Sequence, residues 1–338
     1  MSTHINERKR PYTDQAVVAT SLYGMHREQT YAGVLSFLRR HYTKELKGVD
    51  IAVVGVPYDL ATTNRPGTRF GPAGIRAASA QLANLTPWPW GFDPSERLAI
   101  VDYGDFSFDF GRPQGIPDEI TAQATAILEQ GVSLLAMGGD HFISLPLLRA
   151  YAAHYGPLAL VHFDAHSDTW ADEAGRISHG TMFFHAVKEG IIDPTCSVQV
   201  GIRTYNADPL GITWLDADWV HEHGTRETLA AIKRIVGDRK AYLTFDIDCL
   251  DPSVAPGTGT PVVGGLTTQQ ARTLVRGLDG IDFVGMDLVE VAPPYDTAEV
   301  TALAGATLML DYLCLRAKDR PVRGIQQTRR RARSQKVR

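Results

Sequence analysis

Cysteine is scarce in this 338-residue chain: Cys196, Cys249 and Cys314 are the only three, odd in number and without CxxC spacing. That excludes a disulfide scaffold and a zinc–thiolate site, and it fits a reducing, cytoplasmic setting. Long apolar runs are lacking as well. No stretch reaches the roughly 18 consecutive apolar residues of a membrane helix, so no membrane partner is expected. The opening MSTHINERKRPYTDQ is charged and has no apolar h-region, so no secretory signal is expected either. Neither sign of charge dominates: 34 Lys and Arg stand against 38 Asp and Glu, for a net −4, which argues against a nucleic-acid partner. What is present is an ordinary globular mixture, 44% hydrophobic and 21% charged, in a chain long enough to bury a core without staples.

Residues 1–47 are polar, then amphipathic around Tyr31–Tyr42, and read as an N-terminal arm suited to subunit contacts. From residue 48 short apolar runs alternate with helical stretches. The runs predict strands over Ile51–Val56, Leu98–Asp102, Ser133–Met137, Leu158–Phe163, Ser197–Gly201, Lys240–Phe245 and Phe283–Asp287. Each is continuously apolar, as strands buried on both faces are. Helices are predicted over Pro72–Leu85, Pro117–Gln130, Leu145–His154, Arg226–Val236, Thr268–Gly277 and Thr301–Arg316. Such alternation predicts an α/β fold, a parallel sheet covered on both sides. No linker or repeat divides 48–318, which reads as one domain, and 319–338 reads as a basic C-terminal tail. Six of the ten residues Arg329–Arg338 are basic, which reads as a solvated tail.

Three segments that follow predicted strands carry the chemistry, where α/β enzymes place their sites. In Gly138-Gly139-Asp140-His141 the glycines permit a sharp turn and a close approach, and His141 opens the next helix. In Asp164-Ala165-His166-Ser167-Asp168 the residues at i, i+2 and i+4 of an extended chain would project to one side, so Asp164, His166 and Asp168 are expected to converge on one point. In Asp246-Ile247-Asp248-Cys249-Leu250-Asp251-Pro252, Asp246 and Asp248 are expected to share a side. Carboxylates gathered at the end of a buried strand are costly unless a cation neutralises them. Six side chains, His141, Asp164, His166, Asp168, Asp246 and Asp248, are too many for one four-coordinate zinc and suit two metals sharing carboxylates. An oxygen-rich set favours two Mn2+, with Ni2+ or Co2+ compatible by ligand type. Nearby polar residues have plainer readings: His162 packs in its strand or bonds to backbone, Asp140 supports His141, and Cys249 fills core. Gly257-Thr258-Gly259 lacks the spacing of a phosphate cradle.

GGDH, DAHSD and DIDCLDP, in that order, resemble the ureohydrolase family of arginases, agmatinases and relatives. GVPYD at 55–59, RFGPAGIR at 69–76, HGTMF at 179–183, APGTGTPVVGGLT at 255–267 and GMDLVEVAPPYD at 285–296 extend the likeness over about residues 48–315, closest to the bacterial agmatinase branch. The resemblance implies a three-layer α/β/α fold with a mostly parallel sheet of about eight strands, a dinuclear manganese site, and a homo-oligomer, trimer or hexamer. It implies that Asp164 and Asp246 bridge, that His141 and Asp168 complete one metal site, and that His166 and Asp248 complete the other. His179 matches the family's proton-shuttling histidine, Glu290 the carboxylate that grips a guanidinium, and Asp168 a group that stabilises the intermediate. The implied reaction splits a guanidino compound into urea and an amine.

The substrate is less legible. The Asn…Ser pattern that holds an α-amino acid head in arginase-like members is replaced by Thr169-Trp170-Ala171-Asp172-Glu173-Ala174-Gly175-Arg176-Ile177-Ser178. Free arginine is therefore disfavoured, and agmatine is expected. Asp172 or Glu173 would attract its ammonium, and Trp170 would wall the pocket. Arg176 would instead welcome a carboxylate, as in 4-guanidinobutyrate, and a Trp170 that shortens the site would suit a small guanidine. A non-catalytic subunit that only assembles with an active partner is the reading from another class. It is disfavoured because all six ligand candidates, His179 and Glu290 are present. A one-zinc deacetylase is disfavoured by the number of carboxylates.

Overall fold

A computed structural model describes residues 14–19, 21–24, 29–172 and 178–323. The valine-, isoleucine- and leucine-rich runs form eight strands: β1 (Ile51–Val56), β2 (Ile100–Asp105), β3 (Ser133–Gly138), β4 (Ala159–Phe163), β5 (Val198–Val200), β6 (Thr213–Leu215), β7 (Lys240–Asp246) and β8 (Asp282–Val289). They pair in the order β2-β1-β3-β8-β7-β4-β5-β6, parallel throughout. The helices are α1 (Gln15–Val18), α2 (Gly71–Ser79), α3 (Ile116–Leu128), α4 (Ser144–Tyr155), α5 (Met182–Lys188), α6 (Ala217–Val236), α7 (Thr268–Gly277) and α8 (Val300–Ala317).

Two apolar cores follow from the period of two along each strand. Ala52, Val54 and Val56 join the core under α3, α4 and α5. Ile51 and Val53 join the core under α2, α6, α7 and α8. This is the three-layer α/β/α arrangement expected from the sequence. All seven predicted strands are present. The three-residue edge strand β6 and the short α5 were too brief to carry a period. α6 begins at Ala217 rather than Arg226, because Gly224, at φ 75°, interrupts it and masks the join. Of the described helices, α8 is the one long and apolar enough to cross a membrane, and 67% of that stretch is buried within the fold. Its Asp311 accepts hydrogen bonds from Trp90 and Arg272 at 2.8 Å each.

Part of the region read as an arm is built into the sheet edge. Phe37 and Leu38 are buried, and the Phe37 N–H donates to Asp102 Oδ2 at 2.7 Å. Asp102 also takes Arg76 through Nε at 2.8 Å and Nη2 at 3.0 Å. A buried carboxylate holding a guanidinium and a backbone N–H ties residues 36–40, α2 and β2 together. Asp102→Ala would leave the buried Arg76 guanidinium only the half-exposed Asp105, 2.6 Å from Nη1, and the Phe37 N–H no acceptor, so denaturant unfolding should show a loss of about 3 kcal/mol. A loss under about 1 kcal/mol would contradict this reading.

Candidate metal centre

Four adjacent central strands, β3, β8, β7 and β4, deliver the candidate residues at their C-terminal ends. His141 follows β3, Glu290 follows β8, Asp246 ends β7, and Asp164 follows β4. Gly139 allows the turn into His141: a Cβ there would lie 2.3 Å from the Tyr58 carbonyl oxygen. Its own carbonyl accepts the Glu290 N–H at 2.9 Å, which joins the ends of β3 and β8.

Around His141 the proton can be placed. Thr244 donates its single hydroxyl proton to Asp287 Oδ1 at 2.5 Å, so it accepts from His141 Nε2 at 2.8 Å. Burial opposes charge on the ring, but Asp164, Asp168 and Asp246 outweigh it and hold His141 well above the usual imidazole range, so Nδ1, buried without a hydrogen-bond partner, takes a second proton unless a cation stands in its place. Carboxylate oxygens of Asp168, Asp164 and Asp246 stand 2.9, 3.0 and 3.2 Å from it. A ring nitrogen facing three acidic oxygens is the environment of a cation. A second group lies beside it: His166 Nδ1 is 3.2 Å from Asp248 Oδ2 and 3.3 Å from Asp164 Oδ1. Asp164 thus faces both groups, one oxygen to each. The donor set fits two divalent cations, with oxygen predominating.

The electrostatics agree. Burial, then Asp248 and Asp164, push Asp246 well above the usual carboxylate range. Burial and the neighbouring Asp164 raise Asp168 to about 7. Burial works against a charged His166, but Asp248 and Asp164 outweigh it and raise the ring to about 12. Crowded carboxylates that draw protons onto themselves and their imidazoles are groups that lack positive charge. Metal entry would displace those protons.

The six expected side chains are brought together, though not by the geometry expected. Beyond Phe163 the chain leaves the strand, and Asp168 is left-handed at φ 51°. Asp164, His166 and Asp168 therefore do not converge on one point: Asp168 turns to His141, and His166 to Asp248. Asp246 and Asp248 are likewise divided, because Asp248 sits in a tight turn whose N–H donates to Asp246 Oδ1 at 2.8 Å. His162 lies close enough to join the cluster about His141. Sequence reasoning missed Thr244 and Asp287, which fix the His141 tautomer. The i−2 position of Thr244 relative to Asp246 was the available signal.

A cavity of about 270 Å³ opens above the centre, with His166, Asp168 and Asp246 in its wall together with His179, Trp170, Thr63, Ser178, Thr181 and Thr260. This is at the small end of ligand pockets. His179 Nδ1 is 2.8 Å from Glu290 Oε1, and its Nε2 receives the Thr63 N–H at 3.0 Å with the Thr63 hydroxyl at 2.7 Å. Burial opposes charge on His179, but Glu290 outweighs it and raises the ring to about 9. The Thr63 N–H opposes the second proton at Nε2, so the ring stands between a group that favours imidazolium and one that favours neutrality. Glu290, left-handed at φ 64°, also accepts the His141 N–H on Oε1 at 2.9 Å. Its Oε2 is buried and unpartnered among the described residues. It faces Gly259, whose Cβ would lie 3.5 Å from it. Trp170 forms part of the cavity wall. Asp172 is half-buried and outside the cavity's described lining. Glu173 and Arg176 lie outside the described residues, as do Arg329–Arg338.

The Arginase family matches residues 49–314. The chain is 58% identical to an agmatinase of Chromobacterium violaceum over 306 residues, 90% of this chain and 95% of that protein. Among solved structures it resembles one described as a hypothetical agmatinase from Burkholderia thailandensis, with TM-score 0.89 and 59% identity, covering 90% of this chain and 98% of that one. It also resembles the proclavaminate amidino hydrolase of Streptomyces clavuligerus, with TM-score 0.81 and 36% identity over 86% of this chain and 99% of that one.

The position of Asp164, facing both groups, predicts different metal losses. In equilibrium dialysis of chelator-stripped protein against Mn2+, His166→Ala should keep one equivalent. Asp164→Ala should lose tight binding of both. Equal retention by the two variants would contradict the shared position of Asp164.

Proposed function

Because the chain belongs to the Arginase family, we propose that it is a ureohydrolase that cleaves agmatine to putrescine and urea. The observation that carries this reading is Glu290 Oε2, a buried carboxylate oxygen without a partner beside a metal centre that fits two cations. A guanidinium is a planar cation that donates in line to such an oxygen, and at Gly259, where a Cβ would lie 3.5 Å from it, no side chain crowds it. Glu290 would bind and orient the substrate, with His141 and His179 holding its other oxygen in place.

His141, Asp164, Asp168 and Asp246 would hold one metal, and Asp164, His166, Asp246 and Asp248 the other, with Asp164 and Asp246 shared. When bound, the pair supplies Lewis-acid activation of water at neutral pH. We read the pair as Mn2+, which the oxygen-rich donors favour, with Ni2+ or Co2+ also accommodated. Asp168, in the cavity wall, would accept from an amino group of the reacting carbon. His179 would keep one proton at Nδ1 on Glu290 and exchange another at Nε2, where the Thr63 hydroxyl stands, to let the amine leave protonated.

Agmatine is favoured over 4-guanidinobutyrate by the likeness to agmatinases and by the aromatic wall. Trp170 in the cavity wall is an aromatic neighbour suited to a cation, and the chain is 58% identical to an agmatinase. We further infer a cytoplasmic enzyme, in keeping with three buried, free cysteines. It is also inferred to form a trimer or hexamer, in which Trp88, Tyr205 and Val263, exposed at 82%, 87% and 81%, are apolar side chains for subunit contacts to cover.

With Mn2+ restored, full-length protein should release urea and putrescine in equal amounts from agmatine. 4-Guanidinobutyrate, guanidine and arginine should react far more slowly. Faster turnover of any of the three would overturn the substrate assignment. His179→Asn should lower kcat on agmatine by about 10²- to 10⁴-fold.

A further inference from the structure

We propose that Gln199 and His162 act as a positioning relay for Asp164: the Gln199 amide fixes which nitrogen of His162 carries the proton, and that proton holds the carboxylate shared by the two halves of the centre. The pair lies side by side on neighbouring strands, His162 of β4 in register with Gln199 of β5, both fully buried. Gln199 Nε2 donates to the Ser167 carbonyl at 2.6 Å and stands 2.9 Å from His162 Nδ1. An amide nitrogen only donates, so Nδ1 accepts and the ring proton is on Nε2. That nitrogen is 2.7 Å from Asp164 Oδ2. His162 is therefore close to the centre without being a ligand. One nitrogen faces a donor and the other gives its proton away, so the ring has no lone pair left for a metal.

The amide cannot be turned over, because its oxygen would then meet the Ser167 carbonyl oxygen. In the orientation it keeps, Gln199 Oε1 is buried with no hydrogen-bond partner among the described residues. A buried acceptor left unpaired is costly. The neighbours Val198 and Val200 show that β5 is otherwise built of apolar residues. A glutamine here is expensive for packing, and what it secures is the ring proton of His162 and the Ser167 carbonyl, which lies between His166 and Asp168. With Oδ2 held by His162, Asp164 keeps a fixed rotation. Oδ2 faces the His141 side and Oδ1 the His166 side. Partners of this kind, one bond removed from the metal, tune affinity by about 10- to 100-fold.

The relay rests on the metal-centre reading, and wild-type protein separates the two. Full-length, chelator-stripped protein is titrated with MnCl2 by calorimetry, and the melting temperature of each stripped protein is recorded. Wild type should bind two equivalents; failure to do so would sink the centre and the relay together. Gln199→Met keeps the side-chain length but removes both donations, and His162→Leu removes the ring. Each should weaken Mn2+ binding by about 10- to 100-fold. His162→Gln, whose amide can still donate to Asp164, should stay close to wild type. If His162→Leu does not fold, Gln199→Met and His162→Gln decide the matter. Wild-type Mn2+ affinity in Gln199→Met, or affinity in His162→Gln as low as in Gln199→Met, would overturn the relay while leaving the centre intact. A role in packing alone would lower the melting temperatures and leave the Mn2+ affinity of the folded protein unchanged.

Discussion

Four carboxylates and two imidazoles are held below the surface with too little positive charge among them. The sharpest point of that imbalance is His141 Nδ1, ringed by oxygens of Asp164, Asp168 and Asp246. Burying unbalanced anions costs several kcal/mol for each ion, more than most single contacts return. The arrangement is tenable because cations complete it, and much of the surrounding structure serves to keep it ready for them. Four central strands end on it. The buried Asp287, which accepts from Ser144, Tyr242 and Thr244, holds the proton of His141 away from the centre through Thr244.

Readiness is maintained against local backbone preference. Asp168 and Glu290 are both non-glycine residues with positive φ, a conformation that costs about 1–3 kcal/mol apiece. Each points its carboxylate where a regular strand would not: Asp168 to His141, Glu290 to His179. Gly139 tolerates a contact with the Tyr58 carbonyl that no other residue would. The strain sits where the chemistry is, and the two apolar cores on either side of the sheet hold it there.

The fold was largely legible because a parallel sheet buried on both faces writes itself as continuous apolar runs. β1 and α7 lie within their predicted bounds to the residue. The losses were short or interrupted elements, α1, β6, α5 and the first part of α6, and α2 stops at Ser79, short of the predicted Leu85. At the site, residue types announced the centre, since acids and histidines after apolar strands have few other uses. Their division between two groups was not legible, because it depends on the left-handed turn at Asp168 and the tight turn after Asp246, and neither leaves a mark in composition. Asp287, Thr63 and Gln199 were invisible for a related reason. Each is an ordinary polar residue whose role comes only from its neighbour in space.

The central claim is that this acidic, imidazole-lined hollow is completed by two cations. Crystals of the protein grown with Mn2+ and measured on either side of the manganese absorption edge test it most directly. The account predicts two anomalous peaks, one among His141, Asp164, Asp168 and Asp246, and one among Asp164, His166, Asp246 and Asp248. A single peak, or peaks elsewhere with these six side chains bonded only to one another, would contradict it.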